Sequence, residues 1–121
     1  MDPLRALSGL YACGHSLFSQ ERYGEAAAVF RALAAMAPDN ERGWLGLGAC
    51  HEKIDQHGLA VELYGAGEQF ARSARCAIAR ARTLRTLDRK CDAESALDAA
   101  SDLAAGDSEI ESIVRIERSV S

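Results

Sequence analysis

Apolar and small residues return at three- and four-residue steps through nearly the whole chain, which is the spacing of one face of an α-helix. The first stripe holds Leu4, Leu7, Leu10, Tyr11, Gly14 and then Leu17 or Phe18. Asp2 can cap its start, and Pro3 fits a first turn where a missing N–H costs nothing. Ser19 to Arg22 reads as a turn. A second stripe, Tyr23, Ala26, Ala27, Phe30, Leu33 and Met36, is expected to face inward and to stop at Ala37-Pro38-Asp39-Asn40. The residue before proline disfavours helix, and Asp39 or Asn40 can cap the next one. A third helix runs through Trp44, Leu47, Gly48 and His51 to about Ile54, and a fourth from about Gly58 through Ala60, Val61, Tyr64 and Gly67 to about Phe70. Ala77, Ala81, Leu84 and Leu87, then Ala93, Leu97 and Ala100, predict two more helices around a turn at Asp88-Arg89-Lys90-Cys91. Gly106 suits a C-terminal cap, and Asp107 or Ser108 opens a last helix with Ile110, Ile113, Val114 and Glu117 on one stripe. The expectation is an all-α chain of seven helices.

The stripes repeat. Leu10 maps onto Trp44, Gly14 onto Gly48, Ala26 onto Ala60 and Phe30 onto Tyr64, each 34 residues on. A large residue, a small one four later, then Ala and an aromatic at this period resembles the tetratricopeptide repeat, a helical hairpin that stacks into an α-solenoid. The third unit fits only with a 33-residue step. The resulting domain spans residues 1–121, with repeats at about 4–38, 39–72 and 73–105 and a capping helix at about 107–119, where a terminal unit needs one polar face. Gly14 and Gly48 are expected where two helix backbones come close.

Composition narrows the picture. Of 121 residues, 48% are hydrophobic but only 6% aromatic, so packing rests on small side chains. No apolar run approaches the ~20 residues that span a bilayer, and Met1-Asp2-Pro3-Leu4-Arg5 lacks a signal-peptide layout, so a cytoplasmic protein is expected. Cys13, Cys50, Cys76 and Cys91 show no CxxC spacing and read as reduced thiols. The net charge of −4 hides a sharp asymmetry. Arg72, Arg75, Arg80, Arg82, Arg85, Arg89 and Lys90 precede an acidic run of Asp92, Glu94, Asp98, Asp102, Asp107, Glu109 and Glu111. The fifth and sixth helices run antiparallel, so the arginines of one are expected to face the carboxylates of the other. That pairing and the negative net charge argue against nucleic-acid binding by the arginine helix.

Catalytic and metal patterns are lacking. His51, Glu52 and His57 do not form HExxH, and Cys13 and His15 point in different directions on a helix. Gly46-Leu47-Gly48 lacks the third glycine and the strand of a dinucleotide loop. No enzyme, metal or cofactor is expected.

In a tetratricopeptide array the first helix of each hairpin lines a concave groove. Here that face carries Ser8, Tyr11, His15, Phe18 and Ser19, then Arg42, Leu45, Ala49, Glu52 and Lys53, then Arg75, Ile78, Arg82, Arg85 and Thr86. The groove should be aromatic at one end, small in the middle and cationic at the other, with Tyr11 and Phe18 balanced between core and groove wall.

Trp44-Leu45-Gly46-Leu47-Gly48-Ala49-Cys50, after a first unit rich in spaced aromatics, resembles the class II chaperones of type III secretion, the LcrH/SycD type. The resemblance covers about residues 4–105. It implies a non-enzymatic bacterial cytoplasmic chaperone that holds a secreted translocator soluble and export-competent, gripping an extended segment by aromatic and aliphatic groove side chains. Matched by position, these fall on Tyr11, His15, Phe18, Tyr23, Phe30, Met36 and Tyr64. Members usually carry a further N-terminal helical region that takes part in dimerisation. The first repeat begins almost at Met1 here, which weakens the expectation of a homodimer without removing it. His15 stands where an aromatic is usual, which with the arginines of the third repeat points to a different client. A co-chaperone of a needle subunit or early export substrate, and a general repeat-protein adaptor, are the alternative readings.

Overall fold

The computed structural model describes residues 2–120, and among them the chain forms seven α-helices and no strand: α1 (Pro3–Ser19), α2 (Tyr23–Met36), α3 (Glu41–Lys53), α4 (His57–Phe70), α5 (Ala74–Thr86), α6 (Lys90–Leu103) and α7 (Ser108–Ser119). Each helix packs against its successor, and α1 touches α3, α3 touches α5 and α5 touches α7. The odd-numbered helices thus form one layer and the even-numbered ones the other, the architecture of a helical solenoid.

Two kinds of joint alternate. α1, α3, α5 and α7 start at Asp2, Asn40, Ser73 and Asp107, each of which accepts a backbone N–H of the first turn through its side chain. Such a cap satisfies a donor that the helix itself leaves open. α2, α4 and α6 have no side-chain cap. Their turns are instead closed by the backbone: Arg22, Gln56 and Arg89 donate N–H groups to the carbonyls of Leu17, His51 and Leu84. Just before each donor stands a residue of positive φ, namely Glu21, Asp55 and Asp88. These three lie 34 and then 33 residues apart, so the shortened third unit retains the same turn. The third turn comes slightly earlier than expected, since α6 already begins at Lys90.

The interior has two centres. Ala26, Ala27, Phe30, Leu33, Leu47 and Cys50 form one. Ala77, Ile78, Ala81, Leu84, Ala93, Ala96, Leu97, Ala100 and Ala104, with Ile110 and Val114 of α7, form the other. Burial pushes the thiols of Cys50 and Cys76 up to about 11, so both stay neutral and inert.

Three expectations need correction. Leu4 and Met36 fall on their helical stripes but are exposed, because each sits at a helix end where no neighbouring helix reaches over it. The space at Gly14 and Gly48 is filled by rings, not by backbone. A Cβ at Gly14 would lie 2.9 Å from Phe30 Cζ, and one at Gly48 2.3 Å from Tyr64 Cε1. The true backbone contact is at Gly43, where a Cβ would lie 2.7 Å from the Ala34 nitrogen. Finally, the arginines of α5 do not face the acids of α6. That interface is apolar, and the arginines point aside: Arg75 to Glu41 of α3, Arg80 to Glu68 of α4, and Arg82 and Arg85 to Glu117 of α7. The α6 carboxylates Glu94 and Asp98 take Arg118 of α7.

Candidate functional site

On the layer of odd-numbered helices, the α1–α3 junction opens into a pocket of about 210 Å³ lined by Tyr11, His15, Phe18, Phe30, Arg42, Leu45, Gly46 and Ala49. Its construction starts from two glycines. The Phe30 ring of α2 is slotted between Gly14 and Gly46, where an added Cβ at Gly46 would lie 2.3 Å from Phe30 Cδ1. With the ring drawn into that slot, Phe30 is buried and becomes the pocket floor. Tyr11 meets it edge to face, with centroids 6.3 Å apart, and His15 lies one turn on, 6.1 Å from Tyr11. Phe18 forms the far wall, held by Tyr23 behind it at 5.2 Å, again edge to face. Edge-to-face pairs are favoured by the ring quadrupole, so these walls are preset before anything binds. Tyr11 and Phe18 are half-buried and pack on the neighbouring core, so each is core on one side and pocket wall on the other.

Arg42, on the opposite rim, holds its guanidinium carbon 4.8 Å above the Tyr11 ring. Beyond it, Leu4, Leu7, Ser8, Tyr11, Leu33, Asn40 and Arg42 enclose a second cleft of about 310 Å³. Arg42 and Tyr11 therefore divide two adjoining depressions.

The pocket gathers Tyr11, His15, Phe18, Phe30, Leu45 and Ala49 of the residues singled out in the sequence. The others lie elsewhere. Tyr23 backs Phe18 without lining the pocket. Met36 is exposed at the end of α2. Tyr64 is buried, with its hydroxyl donating to Glu52 Oε2 at 2.5 Å. Burial and that bond raise its phenol well above the ordinary value. Ile78 shares the register of Tyr11 and Leu45 but is buried with Ile110 and Val114, because α7 covers it. Arg82 and Arg85 bind Glu117 at 2.6 and 3.0 Å. Gly46 escapes a reading by side-chain chemistry because its contribution is the absence of a side chain; its place directly across from an aromatic register position is the available signal.

At the far end the cationic groove is thus already answered from within. Burial would raise the Glu117 carboxyl, but hydrogen bonds and charge from Arg82 and Arg85 outweigh it and hold it below its ordinary value. Arg75 and Arg89 are likewise met by Glu41 and Asp92. An arginine row so matched offers little to a phosphate backbone. No helix of the described residues is long and apolar enough to cross a membrane.

Comparison with known proteins points the same way as this geometry. The family profile described as tetratricopeptide repeat matches residues 17–83. Low calcium response locus protein H of Yersinia pestis is 34% identical over 61 residues, which is 50% of this chain and 36% of that protein. The matched stretch spans about a third of the length of that curated relative. Among solved structures, the Yersinia enterocolitica type III secretion translocator chaperone SycD, in complex with a peptide of the translocator YopD, superposes with a TM-score of 0.81 at 28% identity. That superposition covers 95% of this chain and 88% of SycD. PcrH, known from Pseudomonas aeruginosa, in complex with the chaperone-binding region of PopB gives 0.80 at 26% identity, covering 95% and 93%.

Proposed function

Because this chain belongs to the tetratricopeptide repeat family, we propose that its concave face holds an extended segment of a secreted translocator and that the protein serves as a type III secretion chaperone in the bacterial cytoplasm. The observation that carries this reading is the preformed aromatic pocket between α1 and α3, sized for one apolar side chain and walled by Tyr11, Phe18 and Phe30. Such a pocket, on a face built from stacked helices, suits an extended partner that inserts spaced anchors. Rigid aromatic walls lower the ordering cost of binding, because little has to be frozen when the anchor enters. SycD and PcrH, which share this fold, are seen with a translocator peptide and with a chaperone-binding region, and this supports the same class of client here. The function needs no catalysis; it needs the client's apolar segment covered and later released.

The test is co-expression with each translocator, needle-subunit and early-substrate gene of the same genome, followed by co-purification and mass measurement. A stable complex with a translocator, lost on Ala49→Trp, which fills the pocket, is the expected result. A complex with a needle or early export protein would make the chain a co-chaperone of that component. A translocator complex indifferent to Ala49→Trp would sink the pocket as the binding site.

A further inference from the structure

Resting on the reading that the concave face receives an extended segment, we infer that Arg42 recognises a carboxylate of that segment, two positions from the apolar side chain seated in the pocket. The concave face carries four arginines in its second and third units: Arg42, Arg75, Arg82 and Arg85. Three of them are engaged, Arg75 with Glu41 and Arg82 and Arg85 with Glu117. Arg42 has no carboxylate partner among the described residues, although Glu41 is its neighbour in sequence. Glu41 is turned away: it accepts the Ser73 hydroxyl at 2.6 Å and pairs with Arg75. What holds Arg42 is the face of the Tyr11 ring, 4.8 Å below it.

That mode of support matters chemically. A guanidinium held over an aromatic ring is attracted by the π cloud, which is no hydrogen-bonding carboxylate, and so keeps N–H donors to offer to another group. Those donors match the two oxygens of a carboxylate. The ring also fixes where they stand, so less side-chain freedom is lost when an acid arrives. Position completes the argument. Arg42 lines both the 210 Å³ aromatic pocket and the adjoining 310 Å³ cleft. In an extended chain, alternate residues project to the same side, about 7 Å apart. A segment whose apolar anchor fills the pocket therefore presents its second neighbour to the dividing wall, where Arg42 stands. A lysine there would leave the guanidinium unanswered, and an asparagine would offer it a single uncharged acceptor in place of two charged ones.

A display library of short extended segments, with one fixed Leu and randomised flanks, tests this on the immobilised wild-type chain and on Arg42→Gln, Arg42→Lys and Ala49→Trp. Asp and Glu should be enriched about threefold or more two positions from Leu on the wild type at low salt, the scale of a partly exposed charge pair. The enrichment should vanish on Arg42→Gln, persist weakly on Arg42→Lys and fade at high salt. Enrichment unchanged on Arg42→Gln, or absent on the wild type, would overturn the inference; if the Leu preference remained and was abolished by Ala49→Trp, the groove reading would still stand. Segments with no Leu-centred preference, or binding equally to Ala49→Trp, would overturn the groove reading and this inference together.

Discussion

The two ends of the concave face use the same register positions to opposite effect. Tyr11, Leu45 and Ile78 are equivalent, yet the first two wall an open pocket while the third is sealed under α7. Arg42 stands free over Tyr11, whereas Arg82 and Arg85 share Glu117. The difference lies in what the following odd-numbered helix offers. α3 presents the small Ala49 to the pocket and Gly46 to the Phe30 ring of α2, and so leaves space. α7 presents Ile110, Val114 and a carboxylate to α5 and so fills it. Position in a repeat sets which way a side chain faces; the next repeat decides whether it stays available.

The largest expected effect comes from closing the open end at its root. Gly46→Ala should destabilise the fold by about 2–3 kcal/mol through overpacking, because the Phe30 ring is confined by Gly14 on its other side and cannot retreat. A urea melt followed by circular dichroism measures this, and an unchanged midpoint would mean the ring relaxes freely. Opening the closed end should cost less. Glu117→Gln weakens the bonds to Arg82 and Arg85, and a loss of about 1–2 kcal/mol is expected after allowing for the exposure of Arg82.

Acid should reproduce part of that loss. The folded Glu117 carboxyl lies below its ordinary 4.5, so its contribution is fully present above that value and drains away as pH falls through the folded value. The urea midpoint should therefore drop below about pH 4.5 in the wild type, with a shallower drop in Glu117→Gln. An identical acid limb in both proteins would remove Glu117 from the account. On the alkaline side the shift is upward and the loss comes with rising pH. Cys50 and Cys76 rise from 9.0 to about 11 on folding, so stability should be complete below pH 9.0 and decline as pH approaches about 11. Cys50→Ala should blunt that decline in thermal melts across the range. The smallest effect belongs to Arg42→Gln, whose melt should stay within about 0.5 kcal/mol of wild type, since an exposed arginine with no charged partner has little to lose. Arg85→Gln, from the engaged end, should be clearly less stable, and equal melts for the two would erase the distinction between the ends.

The helices and their turns were legible because the signals are local. Asp2, Asn40 and Asp107 cap where a short polar side chain precedes an apolar stripe, and Pro38 separates two hairpins. The illegible part depends on a third helix. A helical stripe says that Ile78 faces the same way as Leu45, but not that α7 lies over it. The charge asymmetry between residues 72 and 111 is plain in the sequence, but the pairing was not, because α5 meets α6 through Ala77, Ala81 and Leu84 and turns its arginines toward α3, α4 and α7. Met36 and Leu4 depart from the pattern for the converse reason, since a stripe continues past the last residue that has anything to cover it. The pocket was half legible: its aromatics stand out, while the glycine that makes room for Phe30 is silent unless one asks what it faces.

Glu52 of α3 is gripped by hydroxyls from both neighbours, Tyr64 of α4 at 2.5 Å and Thr83 of α5 at 2.8 Å. Hydrogen bonds of set length and direction resist sliding, so this one carboxylate ties three helices together. The solenoid is in effect a spring with one coil soldered, at the point where α3, α4 and α5 meet. The α3 wall of the pocket is thereby anchored from behind, and a client arriving there would press against a fixed side.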